Sequence, residues 1–172
     1  MWLAAKYPEK VESLSVHGGW PKTDPFLKAV LEAWQVTAKA LNSVSEMVIR
    51  AIFPWCFTPQ LCGSRPEYIQ SLADFVRSRP AQLVDAFILQ SNAAITHDVQ
   101  AQLGRITAPT QLTFGDGDTL TIRFADGMKN SIRNSELLVF EGCAHAQIYE
   151  KVEEFNRKTL RFLQRRMRAG AA

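Results

Sequence analysis

Residues 109–118 read Pro-Thr-Gln-Leu-Thr-Phe-Gly-Asp-Gly-Asp, and residues 135–145 read Ser-Glu-Leu-Leu-Val-Phe-Glu-Gly-Cys-Ala-His. Each stretch begins as a short run of apolar and β-forming residues and ends in a glycine-containing turn with an ionisable residue. Such runs predict strands over 110–114 and 135–140. A helix is predicted between them, over 122–132, and a long amphipathic helix after them. Strands that alternate with helices indicate an α/β protein with a parallel sheet.

Only one further strand is predicted, and it lies upstream of these two. Residues 1–6 have the apolar pattern of a helix end, and residues 11–17, followed by a Gly-Gly pair, predict a strand. Buried parallel strands need neighbours on both sides, so a sheet of about three strands is small. We therefore expect a remnant of a larger sheet.

A long helical region separates the first strand from the other two. Between residues 25 and 105 the apolar side chains recur at helical spacing. Pro66 and Pro80 are each expected to open a helix, because proline suits the first helical turn. Pro54 is expected to break one, because proline disrupts a helix interior.

Composition and charge exclude several classes of protein. The 172 residues are 47% hydrophobic and 22% charged, which is typical of a folded globular chain, and a net charge of +3 is too small to predict nucleic-acid binding. No apolar run reaches the roughly 18 residues of a membrane span. Three cysteines without regular spacing predict neither a disulfide framework nor a zinc site. We expect a cytoplasmic protein with reduced thiols, no metal and no organic cofactor.

Three stretches together resemble the α/β-hydrolase family. Residues 4–11 resemble the end of the helix that follows the family's nucleophile, leading into the next strand. Residues 106–118 resemble the strand and loop that present the acid of the catalytic triad. Residues 140–145, with the final helix behind them, resemble the histidine loop. The resemblance covers the whole chain and implies a partial α/β-hydrolase fold, with a sheet of about three strands and a helical lid insertion.

The resemblance also implies three segments. Residues 1–20 would supply a helix end and a strand of the hydrolase core, and residues 21–104 would form the helical lid. Residues 105–172 would form the C-terminal part of the core, with the acid and histidine loops.

The family's nucleophile motif is missing from the sequence. The family carries its nucleophile in a Gly-x-Ser-x-Gly turn between a strand and a helix, and this chain has no such motif. We expect the front of the fold to be absent, through a truncated gene start at Met1 or a separate chain. Whether the nucleophile was serine, aspartate or cysteine stays open.

Asp118 and His145 are the candidate catalytic residues. A triad carboxylate must hold the histidine ring in one tautomer and stabilise the imidazolium, and the histidine must act as general base from a loop at the sheet's carboxyl edge. Asp118 follows the second strand and His145 the third, as the resemblance implies. Asp116 is the alternative acid, and a plain Asp-Gly turn is the alternative interpretation of this loop.

Other residues are candidates by type and position. Cys143 lies two residues before His145, but a cysteine and a histidine on one tight loop rarely meet productively, so a Cys–His dyad is disfavoured. His17 falls at a strand end near the expected active-site mouth. Together with aromatic side chains it is a candidate to contact substrate; the aromatic candidates are Trp20, Phe53, Trp55 and Phe57. Aromatic residues of the lid core are the alternative interpretation.

Two functions follow from these observations. The first is a hydrolase acting on a small apolar ester-like substrate, inactive alone because its nucleophile is missing. The second is a non-enzymatic module that binds a partner or a small apolar ligand. An incomplete sheet with an open strand edge predicts a homo-oligomer in either case, with residues 1–20 at the interface.

Overall fold

The computed structural model describes residues 1–169, with side chains up to Arg165. The chain divides into two compact units: one contains Met1–Pro21 and the chain from Asp98 onward, and the other contains Lys22–His97. The helices and strands, in chain order, are α1 (Trp2–Lys6), β1 (Leu14–His17), α2 (Pro25–Leu41), α3 (Val44–Met47), α4 (Phe53–Cys56), α5 (Pro59–Ser64), α6 (Pro66–Ser78), α7 (Val84–Ile95), β2 (Thr110–Gly115), α8 (Ala125–Ser131), β3 (Ser135–Phe140), α9 (Gln147–Glu150) and α10 (Val152–Ala169).

The first unit is built on a parallel sheet of three strands in the order β1-β2-β3. Leu14 pairs with Thr110 at the start of β1, and Thr110 pairs in turn with Ser135 on β3. Every residue of β2 is buried, whereas β1 and β3 are partly exposed, as expected for a central strand between two edges. The predicted fold class, a three-stranded parallel remnant with helices, is confirmed.

One face of the sheet carries the apolar core of this unit. Leu112 and Phe114 of β2 are fully buried there against Met128 of α8. Ala4 and Ala5 of α1 join the same cluster, and their small side chains let the short helix lie close. Burial of this face supplies the main driving force that holds α1 and α8 on the sheet.

The opposite face of the sheet is unusually polar. Gln111 and Thr113 point there from β2, since side chains alternate along a strand. Gln111 donates from Nε2 to Glu136 at 2.9 Å, and Arg165 of α10 donates to the same carboxylate at 2.7 Å. Phe155 of α10 packs on Phe140 with ring centroids 6.0 Å apart. Helix α10 therefore covers this face through both an ion pair and aromatic contacts.

The second unit contains six α-helices among the described residues. Asp24 caps α2 by accepting from the amide of Leu27 at 2.8 Å, and Asn42 ends the helix in the left-handed conformation. The small core of this unit contains Ala38, Val44 and Met47, all buried.

Two of the proline predictions for this unit are wrong in detail. Pro54 does not break a helix, because a π-helical turn over Val48–Ile52 runs directly into α4, and Pro54 lies in the first turn of α4 where its missing N–H is harmless. Pro80 does not open α7, which begins at Val84 after an extended Leu83. Pro66 opens α6 as predicted.

Within the described residues, no helix is long and apolar enough to cross a membrane.

Candidate functional site

Asp118 lies in the turn after β2, and its carboxylate is saturated with hydrogen bonds. Oδ1 accepts from the amides of Leu120 and Thr121 at 2.9 and 3.0 Å, and Oδ2 accepts from the Thr121 hydroxyl at 2.6 Å. The residue is fully buried. A buried carboxylate is tolerated only when donors of this kind surround it, so the turn is built to hold a negative charge.

His145 completes this arrangement. Its Nδ1 lies 2.9 Å from Oδ2 of Asp118 and 3.4 Å from the Thr121 hydroxyl, so the predicted contact between the two side chains is present. Burial by itself raises the pKa of Asp118, but the hydrogen bond and charge of His145 and the bonds from Thr121 outweigh it, and the pKa lies below its usual value. Asp118 is therefore ionised at neutral pH and fixes Nδ1–H as the donor.

The imidazole of His145 also rests against Gly18, just past β1. Gly18 is buried with φ +55°, and a Cβ there would lie 2.7 Å from Cε1 and 3.0 Å from Nδ1 of the ring. Its amide donates to the Thr113 carbonyl at 2.8 Å, which ties it to β2. Gly18 is therefore a backbone wall that closes one side of the ring.

Asp116, the alternative acid, has a different position. Its carboxylate accepts from the amide of Cys143 at 3.2 Å, and hydrogen bonds from Gly142, Cys143 and Gly117 hold its pKa below the usual value. Glu150 of α9 accepts from the amide of Ala144 at 2.7 Å. Two carboxylates thus fix the backbone of the histidine loop, while Asp118 contacts the ring.

The same loop passes very close to the end of β2. A Cβ at Gly115 would overlap the carbonyl oxygens of Cys143 and Ala144, so no other residue fits there without moving the loop. Gly117 donates to the Cys143 carbonyl at 2.8 Å. Gly115 is therefore required by the packing of the acid loop on the histidine loop, and a Cβ at Gly117 would lie 3.1 Å from the Cys143 carbonyl oxygen.

His17 lies at the end of β1 but faces the polar side of the sheet. Its Nδ1 is 2.8 Å from the Thr113 hydroxyl, and the same hydroxyl oxygen accepts a hydrogen bond from Nε2 of Gln147 at 3.0 Å. The ring packs edge-on against Phe155 at 4.8 Å, and partial burial lowers the pKa of His17. The Thr113 hydroxyl and the Phe155 ring therefore hold the His17 ring in place.

Cys143 is unsuited to act as a nucleophile. Its side chain is fully buried, and burial raises the pKa of the thiol to about 11. The reactive form of cysteine is the thiolate, so this thiol is inert at neutral pH. The Cys–His dyad that the sequence disfavoured has no support in the structure.

The aromatic candidates fall in different places. Trp20 is half-buried in the loop after β1. Phe53 and Phe57 lie in the second unit, where their rings meet edge-to-face with centroids 5.1 Å apart. Trp55 instead contacts Phe26 at 6.1 Å. Their role in binding substrate stays a prediction.

Among the described residues, no group of three or more His, Cys, Asp or Glu side chains is placed to hold a metal ion.

Known proteins resemble this chain over part or nearly all of its length. The 2-hydroxy-6-oxo-6-phenylhexa-2,4-dienoate hydrolase of Comamonas testosteroni is 26% identical over 95% of this chain and 58% of its own length. A proline iminopeptidase of Thermoplasma volcanium is 35% identical, over 40% of this chain and 23% of its own. No family model matches the sequence.

Solved structures agree with these relatives. MGS-M2, an alpha/beta hydrolase enzyme from a Medee basin deep-sea metagenome library, superimposes with a TM-score of 0.83 and 27% identity. The enol-lactonase of Burkholderia xenovorans superimposes with a TM-score of 0.79 and 18% identity. Each comparison covers about 95% of this chain and 60% of the other, so this chain spans about three fifths of those proteins.

Sequence reasoning did not identify Gly18 or Thr121 as part of the site. A glycine directly after a predicted strand and a threonine three residues after the candidate acid were the available signals. Neither is specific, because turns commonly contain both residue types.

We expect Gly18→Ala to displace the His145 ring, because the new methyl group would contact Cε1 at 2.7 Å. The hydrogen-bonded Nδ1 proton of His145 should give a downfield NMR signal in the original chain that is lost or strongly shifted in the variant. Gly142→Ala is the matched control, since Gly142 has φ +67° but no atom within 4 Å of its Cβ position. An unchanged signal in Gly18→Ala would contradict the close contact between Gly18 and the His145 ring.

Asp118→Asn should change how stability depends on pH. A carboxylate whose pKa is depressed in the folded state stabilises the fold above its unfolded pKa, about 4, and loses that contribution as the pH falls through the folded pKa. Urea unfolding at pH 7 should show a loss of about 1–3 kcal/mol in Asp118→Asn, and a smaller difference at pH 3. Asp126→Asn, at an exposed position on α8, serves as control. Equal losses at both pH values would show that the charge of Asp118 is not what matters.

Proposed function

Since this chain belongs to the α/β-hydrolases and carries part of their fold, we propose that Asp118 and His145 are the acid and base of a hydrolytic site. The observation that supports this most directly is the 2.9 Å contact between Nδ1 and Oδ2. Within the described residues, the hydrogen bonds of His145 all involve Nδ1. Nε2 is thus the nitrogen left to meet a nucleophile.

The proposed chemistry follows from the protonation states. Asp118 keeps Nδ1 protonated, so Nε2 carries the lone pair and takes the proton of an attacking hydroxyl. The hydroxyl oxygen forms a bond to the ester carbonyl carbon, and the imidazolium is stabilised by the buried carboxylate. His145 then returns the proton to the leaving-group oxygen as the carbon–oxygen bond breaks. The Thr121 hydroxyl supports these steps by donating to Oδ2 of Asp118 and so orienting that oxygen toward His145.

The nucleophile in this proposal lies outside the 172 residues, because the sequence contains no Gly-x-Ser-x-Gly motif. The chain by itself is then inactive, and an elbow-bearing segment would complete the site. A small apolar ester is the proposed substrate, with residues 21–104 as the lid. His17, Trp20, Trp55 and the Phe53–Phe57 pair are the proposed contacts.

The first test is a chimera with MGS-M2. The part of that enzyme preceding the aligned region would be fused to this chain, and hydrolysis of 4-nitrophenyl acetate measured. The isolated chain should hydrolyse 4-nitrophenyl acetate no faster than its own His145→Ala variant does. The folded chimera should be active and lose about 10²-fold or more on His145→Ala, as expected for loss of a general base. His97→Ala, in the second unit, is the control histidine.

Two outcomes would contradict the proposal. Turnover by the isolated chain that His145→Ala abolishes would place a nucleophile within this sequence. A folded chimera whose turnover does not depend on His145 would remove that residue from the chemistry.

The alternative is a non-enzymatic, self-associating module in the cytoplasm, and the open edge of β1 favours it. Among the described residues β1 pairs only with β2. The amides of Leu14 and Gly18 donate to the carbonyls of Pro109, just before β2, and Thr113 of β2, at 2.9 and 2.8 Å. The backbone groups of Ser15 and His17 therefore point the other way, since they alternate along the strand, and an edge of this kind is a template for pairing.

Ser15→Pro tests self-association at this edge. Proline removes the outward amide of Ser15 and leaves the bonds of Leu14 and Gly18 to β2 in place. If β1 forms the interface, light scattering should show a dimer in the original chain and a monomer in the variant, with helix content unchanged. Charged residues at Leu14 or Val16 are unsuitable probes, because both side chains pack on the core. A dimer that survives Ser15→Pro would exclude this edge.

A further inference from the structure

The second unit contains an apolar cavity of about 470 Å³ whose lining includes Phe53 and Phe57, two of the proposed substrate contacts. Ten residues line it, and none of them is charged. They come from the π-helical turn Val48–Ile52, from helices α4, α5 and α6, and from the loops between these helices. Cys62 and Gln70 are its only polar side chains. Cavities of roughly 300–1,000 Å³ with mostly apolar walls and a few polar groups are typical binding sites for small molecules.

The floor of the cavity is buried and aromatic. Phe57 and Ala73 are 5% and 4% exposed, and Phe53 stands over Phe57 at an angle of 88°. Such a pair presents one ring face and one ring edge, which suits the quadrupole of a further aromatic ring. Cys62 and Gln70 are exposed, so they lie at the rim.

An irregular backbone turn shapes one wall. Ile49 lines the cavity from the π-helical segment Val48–Ile52. The indole of Trp34 donates to the Ala51 carbonyl at 3.0 Å and so satisfies one of the groups that this wider turn displaces. π-helical turns are rare and occur frequently at functional sites, because they shift side chains out of the regular helical positions.

A second cavity in the same unit provides a contrast. It measures about 600 Å³, and its lining includes Lys39 and Asp85 together with Asn42, Ser43 and Gln82. Desolvating those charged and amide groups against an apolar molecule would cost free energy. An uncharged apolar molecule therefore favours the first cavity over the larger one.

We propose that the cavity lined by Phe53, Phe57 and Cys62 binds one small uncharged molecule with an aromatic or branched aliphatic body. The charge-free walls disfavour ions, and the volume of about 470 Å³ lies in the range of sites that hold drug-sized molecules. Through Phe53 and Phe57 this inference builds on the proposed substrate contacts, but it concerns binding alone and does not require Asp118 and His145 to be catalytic.

The test uses N-phenyl-1-naphthylamine, an uncharged two-part aromatic probe whose fluorescence rises in apolar surroundings. Titration of the full chain should saturate at one probe per chain. Cys62→Phe should raise Kd at least about tenfold, because the ring fills the cavity from its rim. Gly63→Phe is the matched control, since a Cβ at Gly63 meets no atom within 4 Å, and its Kd should stay within about twofold.

A second measurement uses the cysteine itself and needs no cavity-filling variant. In a Cys56→Ser background, saturating probe should slow the reaction of Cys62 with N-ethylmaleimide at least about fivefold. Cys143 is buried and should stay unmodified throughout. Because the Cys62 side chain is intact here, the proposal stays testable even if Cys62→Phe does not fold.

Four results would overturn the proposal. Equal probe affinity in Cys62→Phe and Gly63→Phe would place the probe elsewhere, as would an unchanged modification rate of Cys62. A probe signal that never saturates would indicate unspecific adsorption. A dimer that dissociates in Cys62→Phe and excludes the probe would mean that a second copy fills the cavity. His145→Ala should leave Kd unchanged, which separates this site from the hydrolytic proposal.

Discussion

The buried carboxylate of Asp118 is the group on which the carboxyl edge of the sheet depends. It lies without solvent exposure and accepts four hydrogen bonds, from two amides of its own turn, the Thr121 hydroxyl and the His145 ring. An ionised group in that position is stable only while every donor is in place. The shape of the acid loop and the position of the histidine are therefore coupled through this one carboxylate.

Close backbone approach sets the geometry around that carboxylate. Gly115 admits the carbonyls of the histidine loop, and Gly18 admits the imidazole ring, because neither position has a Cβ. One strand end thus supports the loop and the neighbouring strand end supports the ring. The parallel register of β1 and β2 brings both glycines to the same edge. A site assembled from three strand ends in this way is defined by packing as much as by hydrogen bonding.

The two aspartates of one short turn, Asp116 and Asp118, have the same side chain but different hydrogen-bond partners because of the local geometry. Asp116 is exposed and faces the loop backbone, so its carboxylate is used by amides of residues 142 and 143. Asp118, two residues later, is buried and faces the ring. Both pKa values lie below the usual range, yet for different reasons: amide donors for one, and an imidazole and a hydroxyl for the other. Only Asp118 contacts a group that can move a proton.

The sequence by itself determined the strands 110–114 and 135–140 and the helical character of the region between β1 and β2, because runs of β-forming residues and helical spacing of apolar residues are local signals. It also placed Asp118 and His145 in register, since each directly follows a strand. Pro54 and Pro80 were misjudged, because the neighbouring chain decides whether a proline begins or breaks a helix. Only the tertiary structure revealed the contacts of Gly18, Thr121 and Asp116 with the histidine or its loop. Those contacts join segments up to 127 residues apart, Gly18 and His145, and no local pattern encodes which backbone will lie against which ring.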